Sequence, residues 1–583
     1  MKNFWRHDDQ AAFFSALKHH LAQNWVAWVY GAVLLAYLLP LVVFEWPIGG
    51  DYLSHVPRIY MWQHLAENAE LGRFYMRNPN LYSNWGLDGL VLLFTHLVGH
   101  GVNETIVAGR MALGTAILAY GISCAWLFIA AHGRLTVWAL VSLFFAIQYN
   151  LLVGMMSQYL GQSLLLAFLG WLLWRKCYHF CWWQNIALAL FATLTFLCHA
   201  FAWGYCLMAW GLWLLYGLSR RDFRVFSRDS GRSLITTLCL LIPGVILFLL
   251  GNNTGYVGHN SLLLPPASEA ISTSKLGDLI WRNVAFTQLA YATRYIALFF
   301  VVLPLIAKIF YRLEFNRYLV PLAVIFLGMA IAVPKMAFDS GVVDLRFAQI
   351  FLTLYLLGLQ PVIGRKDYAD SLGIFIVMAL VGQVVMFGIN ARTTDHEVGF
   401  YRAAFSQLES GKKLLVADQM NAYSFCALKH ADLSKKAKDT LCSAQVDEHQ
   451  VQHPTIGAVG SLALLERTVF VTPYFAHPSK HSVLVQPEYA DIAEIDNISF
   501  RWEMLNHETP QGFSIMSSRL TCYRQLNCPM MNWRQDFDYI VISNLRSDFQ
   551  NPAGLKLLYE APYQQFKLFE IDHSWQEPAA PKD

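Results

Sequence analysis

The sequence predicts a polytopic α-helical membrane protein, N-inside and C-outside, that ends in a periplasmic α/β domain. Three observations indicate this. The chain is 56% hydrophobic and 14% charged, whereas soluble domains carry about 25% charged residues. Apolar runs long enough to cross a bilayer recur up to residue 390. The composition then changes at Asn390, where polar residues begin to alternate with short apolar runs. We therefore expect a transmembrane domain over 1–391 and a soluble domain over 392–583.

The apolar runs set the expected number of transmembrane helices. A spanning helix needs about 17–25 apolar residues, and this criterion gives about eleven spans. They cover residues 25–44, 107–131, 135–152, 156–174, 183–199, 201–218, 233–251, 289–308, 318–334, 346–363 and 371–389. The run Leu90–Val98 is too short to cross, so it predicts an interfacial helix, with a re-entrant segment as the alternative. An amphipathic run at Ala11–Gln23 suits the membrane surface.

The basic residues predict the orientation of these spans, because Lys and Arg concentrate in cytoplasmic loops. If the N-terminus is inside, every inner connection is basic. These connections carry Arg134, Arg175, Lys176, Arg220, Arg221, Arg224, Arg228, Arg232, Lys308, Arg312, Arg317, Arg365 and Lys366. The same assignment places 45–106, 252–288, 335–345 and 390–583 outside.

The region beyond residue 390 has the pattern of an α/β domain. A helix is predicted at Glu397–Gly411 and a strand at Leu414–Ala417. Further strands are expected at Thr468–Thr472, Tyr539–Ser543, Leu555–Tyr559 and Phe566–Ile571, the last two as a hairpin. No glycine-rich phosphate-binding motif accompanies them, and a net charge of +3 without a basic run gives no indication of nucleic-acid binding.

Four of the 10 cysteines lie in this domain as two close pairs, Cys426 with Cys442 and Cys522 with Cys528. An even set of this kind suits two disulfides in an oxidising compartment. Four unpaired buried thiols are the alternative. The sequence has neither a CxxC motif nor a Cys/His cluster with zinc spacing, so no metal site is predicted.

The segment Trp46–Arg58 directly follows the first predicted span and carries an acid, a titratable base and a cation. These are Asp51, His55 and Arg58, and two glycines precede Asp51. Charge at the end of a membrane span indicates function, because it is costly unless it faces water or a cavity. The alternative is an ordinary loop with Asp51 as a helix cap. Pro57, tolerated only near a helix start, predicts that the helix begins near Ser54 and that the three residues need not share one face.

Other charged residues are expected on the same outer face. They are Arg110, His199, Arg294, Asp339, Asp344 and Arg346. Arginine can bind phosphate bidentately, and a carboxylate can take a proton from a hydroxyl group, so this set suits a phosphate-bearing lipid. As alternatives, Arg294 and Arg346 extend to the interface as ordinary membrane arginines, and His199 is a structural residue between two spans.

This architecture resembles the GT-C superfamily of integral-membrane glycosyltransferases. The shared features are an inner N-terminus, an acidic residue just past the first span in a long outer loop (45–106), many later spans and an outer C-terminal domain. The resemblance implies that Asp51 is the general base and that a polyprenyl-phosphate sugar is the donor. It also implies that the loop Asp339–Arg346 contacts the donor phosphate and forms a lid. The implied location is the bacterial inner (plasma) membrane, and the implied partners are membrane lipid, a glycan, lipid or protein acceptor, and other envelope glycan-assembly proteins.

Two features depart from the better-characterised branches of that superfamily. Gly50 and Tyr52 flank Asp51, so the paired acids of a metal-dependent site are missing, and the Trp-Trp-Asp signature of oligosaccharyltransferases is absent. The sequence is therefore similar to bacterial GT-C-like proteins of polysaccharide or surface-glycan assembly. The main alternative is a non-enzymatic membrane component of that assembly or export. A transporter is disfavoured, because the span centres are almost uncharged and no internal repeat is visible. An acyltransferase that uses His199 is a weaker alternative.

Overall fold

The structure is a computed structural model and is mostly helical. It describes residues 25–78, 83–175, 182–219, 223–252, 299, 302, 312–333, 343–362, 366–419, 456–472, 481–493, 500–505, 532–546, 549–562 and 565–575. The amphipathic run Ala11–Gln23, the predicted span 289–308 apart from Phe299 and Val302, and the four cysteines of the two predicted disulfides lie outside these residues.

The described helices of the membrane part follow most of the predicted spans. They are α1 (Trp25–Val43), α2 (Tyr52–His64), α3 (Ala69–Phe74), α4 (Gly86–Val98), α5 (Val102–His132), α6 (Val141–Phe144), α7 (Tyr149–Leu152), α8 (Met156–Arg175), α9 (Trp182–Cys198), α10 (Ala200–Ser219), α11 (Phe223–Asn252), α12 (Leu319–Ala332), α13 (Val343–Gly358) and α14 (Lys366–Phe405). Among the described residues, three helices are both long and apolar enough to cross a membrane: Trp25–Val43, Val102–His132 and Ser371–Phe405. The protein is thus an integral membrane protein.

The predicted span 135–152 is not one helix. It is divided into a 3₁₀ turn (Val137–Leu140), α6 and α7, and residues 138–148 are all buried. A broken backbone is tolerated at membrane depth only where protein groups satisfy it. Gln383 Nε2 donates to the carbonyl oxygen of Phe144 (2.6 Å), and the Tyr159 hydroxyl donates to that of Ala146 (2.7 Å). Side chains of other helices therefore replace the missing helical hydrogen bonds.

The segment predicted as the outer loop, 45–106, contains α2, α3, a short strand β1 (Tyr75–Arg77) and α4. The predicted interfacial run is the second half of α4. Leu93 and Leu97 there are 55% and 72% exposed, as an apolar surface in contact with lipid would be. Asp88, on the first turn of the same helix, is fully buried. One end of α4 therefore lies within the protein and the other at its surface.

The C-terminal region contains a mixed sheet, as the strand pattern predicted. Two strands precede this region and pair antiparallel with each other, β2 (Arg312–Phe315) and β3 (Leu359–Val362). The strands of the C-terminal region are β4 (Lys413–Asp418), β5 (Phe470–Thr472), β6 (Val483–Val485), β7 (Phe500–Arg501), β8 (Tyr539–Ser543), β9 (Leu555–Glu560) and β10 (Phe566–Ile571). The main sheet has the order β5-β4-β8-β10-β9, with β7 beside β4. Its central strands β4 and β8 are parallel and buried on both faces, and β9 and β10 pair antiparallel as the predicted hairpin.

Helix α14 joins the two regions without a break. It runs for 40 residues from Lys366 to Phe405, so the boundary predicted at 391/392 falls inside it. Tyr401 on this helix stacks on Phe566 of the sheet at 3.8 Å between ring centroids. The soluble domain is therefore attached through a continuous helix rather than through a flexible linker.

The outer loop and the C-terminal domain also share a second, two-stranded sheet. β1 pairs antiparallel with β6, with Tyr75 opposite Val485 and Arg77 opposite Val483. The backbone N–H of Asn78 extends this pairing by donating to the Ser482 carbonyl oxygen (2.8 Å). Strands that exchange backbone hydrogen bonds must lie on one side of a membrane, so this sheet places both segments on the same side.

Two glycines set the position of the chain just before α2. Gly50 and Gly154 have left-handed φ values of 60° and 82°. A Cβ atom on Gly50 would lie 2.1 Å from the Val153 carbonyl oxygen, and one on Gly154 would lie 2.5 Å from the Asp51 backbone nitrogen. That nitrogen donates to the Val153 carbonyl oxygen (3.0 Å). The two backbones thus meet at a distance that only glycine permits.

Gly154→Ala is expected to lower the stability of the protein by about 2 kcal/mol or more, because a left-handed non-glycine residue alone costs about 1–3 kcal/mol and the added methyl group also displaces Asp51. Thermal unfolding in detergent, followed by tryptophan fluorescence, would measure this. Gly211→Ala is the matched control, because a Cβ atom there meets no atom within 4 Å on helix α10. Equal melting temperatures for the two variants would contradict the close approach.

Candidate active site

Asp51 occupies the N-cap position of α2 but does not act as a cap. Its side chain makes no capping hydrogen bond, and no group that the structure describes donates to its carboxylate. The residue is half-buried, so the carboxylate stays accessible. Burial nevertheless raises the pKa of the Asp51 carboxyl above its ordinary value. The basic side chains nearby oppose this increase without cancelling it; they are His55, Arg58 and Arg346.

The three charged residues of Trp46–Arg58 share one face of α2, contrary to the expectation drawn from Pro57. The helix begins at Tyr52, and Pro57 lies inside it. Asp51, His55 and Arg58 therefore stand at positions i, i+4 and i+7, which lie above one another on a helix. The expectation that Ser54 is the N-cap was wrong by three residues, because the N-cap position is Asp51, and this difference decides the geometry.

A fully buried carboxylate, Asp88, binds the basic residues of α2. Nδ1 of His55 donates to Asp88 Oδ1 (2.5 Å), and Arg58 Nε lies 3.7 Å from Asp88 Oδ2. The Ser482 hydroxyl, from the C-terminal domain, donates to Oδ2 as well (3.2 Å). Burial acts to raise the pKa of Asp88, but Arg58, His55 and the hydrogen bonds outweigh it, so this pKa lies below its ordinary value. Asp88 therefore stays ionised and fixes His55 and Arg58 in place.

Arg346 and His199 form the other half of the site. Arg346 is 7% exposed in the first turn of α13, and its Nη1 lies 2.9 Å from Nε2 of His199. His199 directly precedes α10, and its Nδ1 lies 3.2 Å from the Phe201 backbone nitrogen. The guanidinium can only donate, so the 2.9 Å contact is a hydrogen bond from Arg346 to His199 in the tautomer whose Nε2 carries no proton. An anionic oxygen that accepted from the Arg346 guanidinium would be stabilised here, at the N-terminus of a 20-residue helix.

The two halves adjoin, because Arg346 and Asp51 act on each other electrostatically. An accessible carboxylate thus stands beside an arginine–histidine pair that suits an anion. The carboxylate can take a proton, and the pair can hold negative charge.

The remaining predicted residues lie elsewhere or outside the described part. Nη1 of Arg110 lies 3.4 Å from the carbonyl oxygens of Leu41 and Phe44, so this arginine binds the end of α1 rather than the site. Arg294 and Asp339 lie outside the described residues. For Asp344 the structure describes the helical backbone but not the side chain.

The residues that sequence reasoning did not assign to the site are Asp88 and Ser482. Asp88 had a visible signal, since it is a carboxylate directly before an apolar run. Ser482 had none, because it is 394 residues away from the carboxylate it binds. No group of three or more His, Cys, Asp or Glu side chains that could hold a metal ion occurs within the described ranges.

The comparison with solved structures gives distant similarities. The chain is similar to the crystal structure of ArnT from Cupriavidus metallidurans bound to undecaprenyl phosphate, with a TM-score of 0.49 and 10% sequence identity. The match covers 96% of this chain and 100% of that chain. At this identity and TM-score the similarity assigns no role to any residue. No protein-family model and no curated protein matches the chain.

Proposed function

We propose that the protein is a membrane glycosyltransferase that moves a sugar from a polyprenyl-phosphate donor to a glycan, lipid or protein acceptor on the periplasmic face of the bacterial inner membrane. The observation that supports this most is the pairing of an accessible carboxylate of raised pKa, Asp51, with the buried Arg346–His199 pair. A base for a hydroxyl group and a site for a phosphate are the two things that this reaction requires.

In the proposed reaction, the Asp51 carboxylate takes the proton of the acceptor hydroxyl. The acceptor oxygen then forms a bond to the anomeric carbon of the sugar, while the bond between that carbon and the phosphate oxygen breaks. The departing polyprenyl phosphate keeps the electron pair. Its added negative charge is stabilised by the Arg346 guanidinium, which His199 holds in place, and this is the transition-state stabilisation expected of a fixed donor in a buried site.

Asp88 has an indirect role in this proposal. It holds His55 and Arg58 in position beside Asp51 and does not meet the substrate, since it is fully buried between them. The basic residues limit how far burial raises the pKa of Asp51, so that the base is available in its ionised form.

The phosphate half of the proposal can be tested without knowing the sugar or the acceptor. Farnesyl phosphate, a short polyprenyl phosphate, should bind the purified protein in detergent, and Arg346→Gln should weaken that binding by about 10-fold to 100-fold. This range corresponds to a charge-assisted hydrogen bond of about 1.5–3 kcal/mol. Native mass spectrometry or microscale thermophoresis would measure the affinity.

Arg110→Gln is the matched control, because that arginine binds backbone carbonyls at the end of α1. It should leave the affinity for farnesyl phosphate unchanged. If Arg346→Gln bound as tightly as the wild type, or if both variants lost affinity equally, the assignment of Arg346 to the phosphate would be wrong.

A further inference from the structure

Three side-chain amides near the candidate site are buried without a hydrogen bond. Asn150, Gln158 and Gln349 are 0%, 1% and 3% exposed. Neither amide atom of any of them has a hydrogen-bond partner in the described part of the chain. An unsatisfied buried polar group costs about 1–3 kcal/mol, and native proteins contain few of them. Three together call for an occupant that the structure does not contain.

Helix packing places Gln158 next to the phosphate half of the site. Helices α8 and α10 meet closely where a Cβ atom on Gly161 would lie 2.4 Å from Ala202 Cβ and 3.7 Å from His199 Cβ. Gln158 is one turn before Gly161 on α8, and Tyr205 is one turn after Ala202 on α10. The two therefore lie on the facing surfaces of these helices.

The Tyr205 hydroxyl is the link between Gln158 and Arg346. It lies near both side chains, although its geometry toward Gln158 falls outside that of a hydrogen bond. The hydroxyl is also buried without a hydrogen-bond partner among the described residues. It adds a fourth unsatisfied group to the three amides.

The other two unsatisfied amides, Gln349 and Asn150, lie on two other helices. Gln349 follows Arg346 by three residues on α13, so both lie on one face of that helix. Phe347, between them in the chain, packs against Tyr205 at 5.1 Å between ring centroids. Asn150 lies on α7, three residues before Val153, whose carbonyl oxygen accepts from the Asp51 backbone N–H (3.0 Å).

We propose that Asn150, Gln158, Tyr205 and Gln349 form a subsite for an uncharged, polyhydroxylated sugar ring. This inference rests on the proposed function, since it places the ring between Asp51 and a phosphate at Arg346. An amide offers both donors and an acceptor, and a sugar hydroxyl group needs both. Because Asp51 serves as the base and Arg346 binds the phosphate, a cationic amino sugar would need a further carboxylate and an acidic sugar would need further cations. The described members of this subsite are all neutral.

The test compares the affinity for farnesyl phosphate with the affinities for farnesyl-phosphoryl glucose, galactose and mannose. At least one neutral hexose should raise the affinity about tenfold or more, as two ordinary hydrogen bonds would. The 2-amino-2-deoxy and uronic acid forms of that hexose should lose most of this gain. Gln158→Leu and Gln349→Leu should each remove most of the gain and leave the affinity for farnesyl phosphate itself unchanged.

Gln148→Leu is the matched control, since its Nε2 already donates to Gln162 Oε1 (2.7 Å). It should keep the gain from the hexose. Melting temperatures should not fall in Gln158→Leu and Gln349→Leu, because each substitution removes the cost of an unsatisfied buried amide.

The outcomes separate the subsite from the proposed function. If the wild type binds farnesyl phosphate but no neutral hexose adds affinity, or if the leucine variants keep the gain, the subsite is wrong and ordered water satisfies the amides. If the wild type does not bind farnesyl phosphate at all, the proposed function fails and the subsite fails with it.

Discussion

Asp51→Asn is expected to lower the rate of sugar transfer by about 10²-fold to 10⁴-fold, the range for loss of a general base. Asparagine has nearly the shape of aspartate but cannot take a proton at neutral pH. The affinity for farnesyl phosphate should not fall, because the phosphate half of the site is Arg346 with His199. The measurement is transfer of labelled sugar from a polyprenyl-phosphate donor by the purified protein. Transfer at the wild-type rate would remove Asp51 from the mechanism.

Asp51→Asn, which should lower the transfer rate, should raise the stability of the protein. Burial raises the pKa of Asp51 in the folded protein, so its contribution to stability is fully present below the unfolded pKa and is lost as pH rises through the folded pKa. At neutral pH the ionised carboxylate is therefore destabilising. Asp51→Asn should raise the melting temperature at pH 7 and leave it nearly unchanged at about pH 4, below which wild-type Asp51 is also neutral.

Asp51→Ala separates this role from helix capping. If the Asp51 side chain capped α2, alanine would cost about 0.5–2 kcal/mol. The structure shows no capping bond, so the alanine variant should be at least as stable as the wild type at pH 7. If one substitution lowers activity and raises stability, the wild-type residue serves function at a cost in stability. A clear drop in the melting temperature of Asp51→Ala would instead favour the capping interpretation.

The transfer rate at low pH should also depend on the ionisation of Asp51. Because the pKa of Asp51 is raised, activity should begin to fall at a pH above the ordinary range of an aspartate as the pH is lowered. This fall in activity is due to the ionisation of Asp51 only if the residual activity of Asp51→Asn no longer shows it.

The sequence predicted the strands of the C-terminal sheet well because each is a short apolar run between turn residues. β8 and β10 coincide with the predicted Tyr539–Ser543 and Phe566–Ile571, residue for residue. Both strands are buried, and a buried strand must be apolar whatever its neighbours are. The information is local, so a single sequence contains it.

The break within 135–152 could not be predicted in this way. Apolar composition reports that a segment is buried and says nothing about how its backbone is hydrogen-bonded. The groups that permit the break lie far along the chain, since Gln383 donates to the Phe144 carbonyl oxygen across 239 residues. The expectation drawn from Pro57 was wrong for a similar reason. The preference of proline for a helix start is a local property, whereas α2 is packed on one side by the membrane helices and on the other by the C-terminal domain.

Some residues of the candidate site could be predicted from the sequence, and others could not. Asp51, His55 and Arg58 were visible because they lie close together in the sequence directly after a membrane span. Their partner Asp88 and its donor Ser482 are brought in by the fold, through the pairing of β1 with β6. The unsatisfied amides could not be found from the sequence at all, because an absent hydrogen bond can be recognised only in a structure.

Asp88→Asn is expected to destabilise the protein by about 3–5 kcal/mol, the usual effect of removing one partner from a buried ion pair. The variant leaves Arg58 fully buried beside a neutral amide, and the single oxygen of that amide replaces the two that bind His55, Arg58 and Ser482. The pKa of Asp88 is lowered, so its contribution is present above the unfolded pKa and is lost only as pH falls through a still lower folded value. The deficit in melting temperature should therefore be constant from about pH 5 to pH 8. That constancy distinguishes it from the effect at Asp51, which changes with pH.

Ser482→Ala should give a smaller loss of the same kind, about 1–3 kcal/mol, because it removes one hydrogen bond to a charged group. Ser461→Ala is its matched control in the same domain. The Ser461 hydroxyl is buried and has no hydrogen-bond partner among the described residues, so its removal should not lower the melting temperature. If Ser482→Ala also slows sugar transfer while Ser461→Ala does not, the C-terminal domain acts on the site through Asp88. Equal stability and equal transfer rates in the two serine variants would show that the domain is docked on the outer loop without positioning its charged residues.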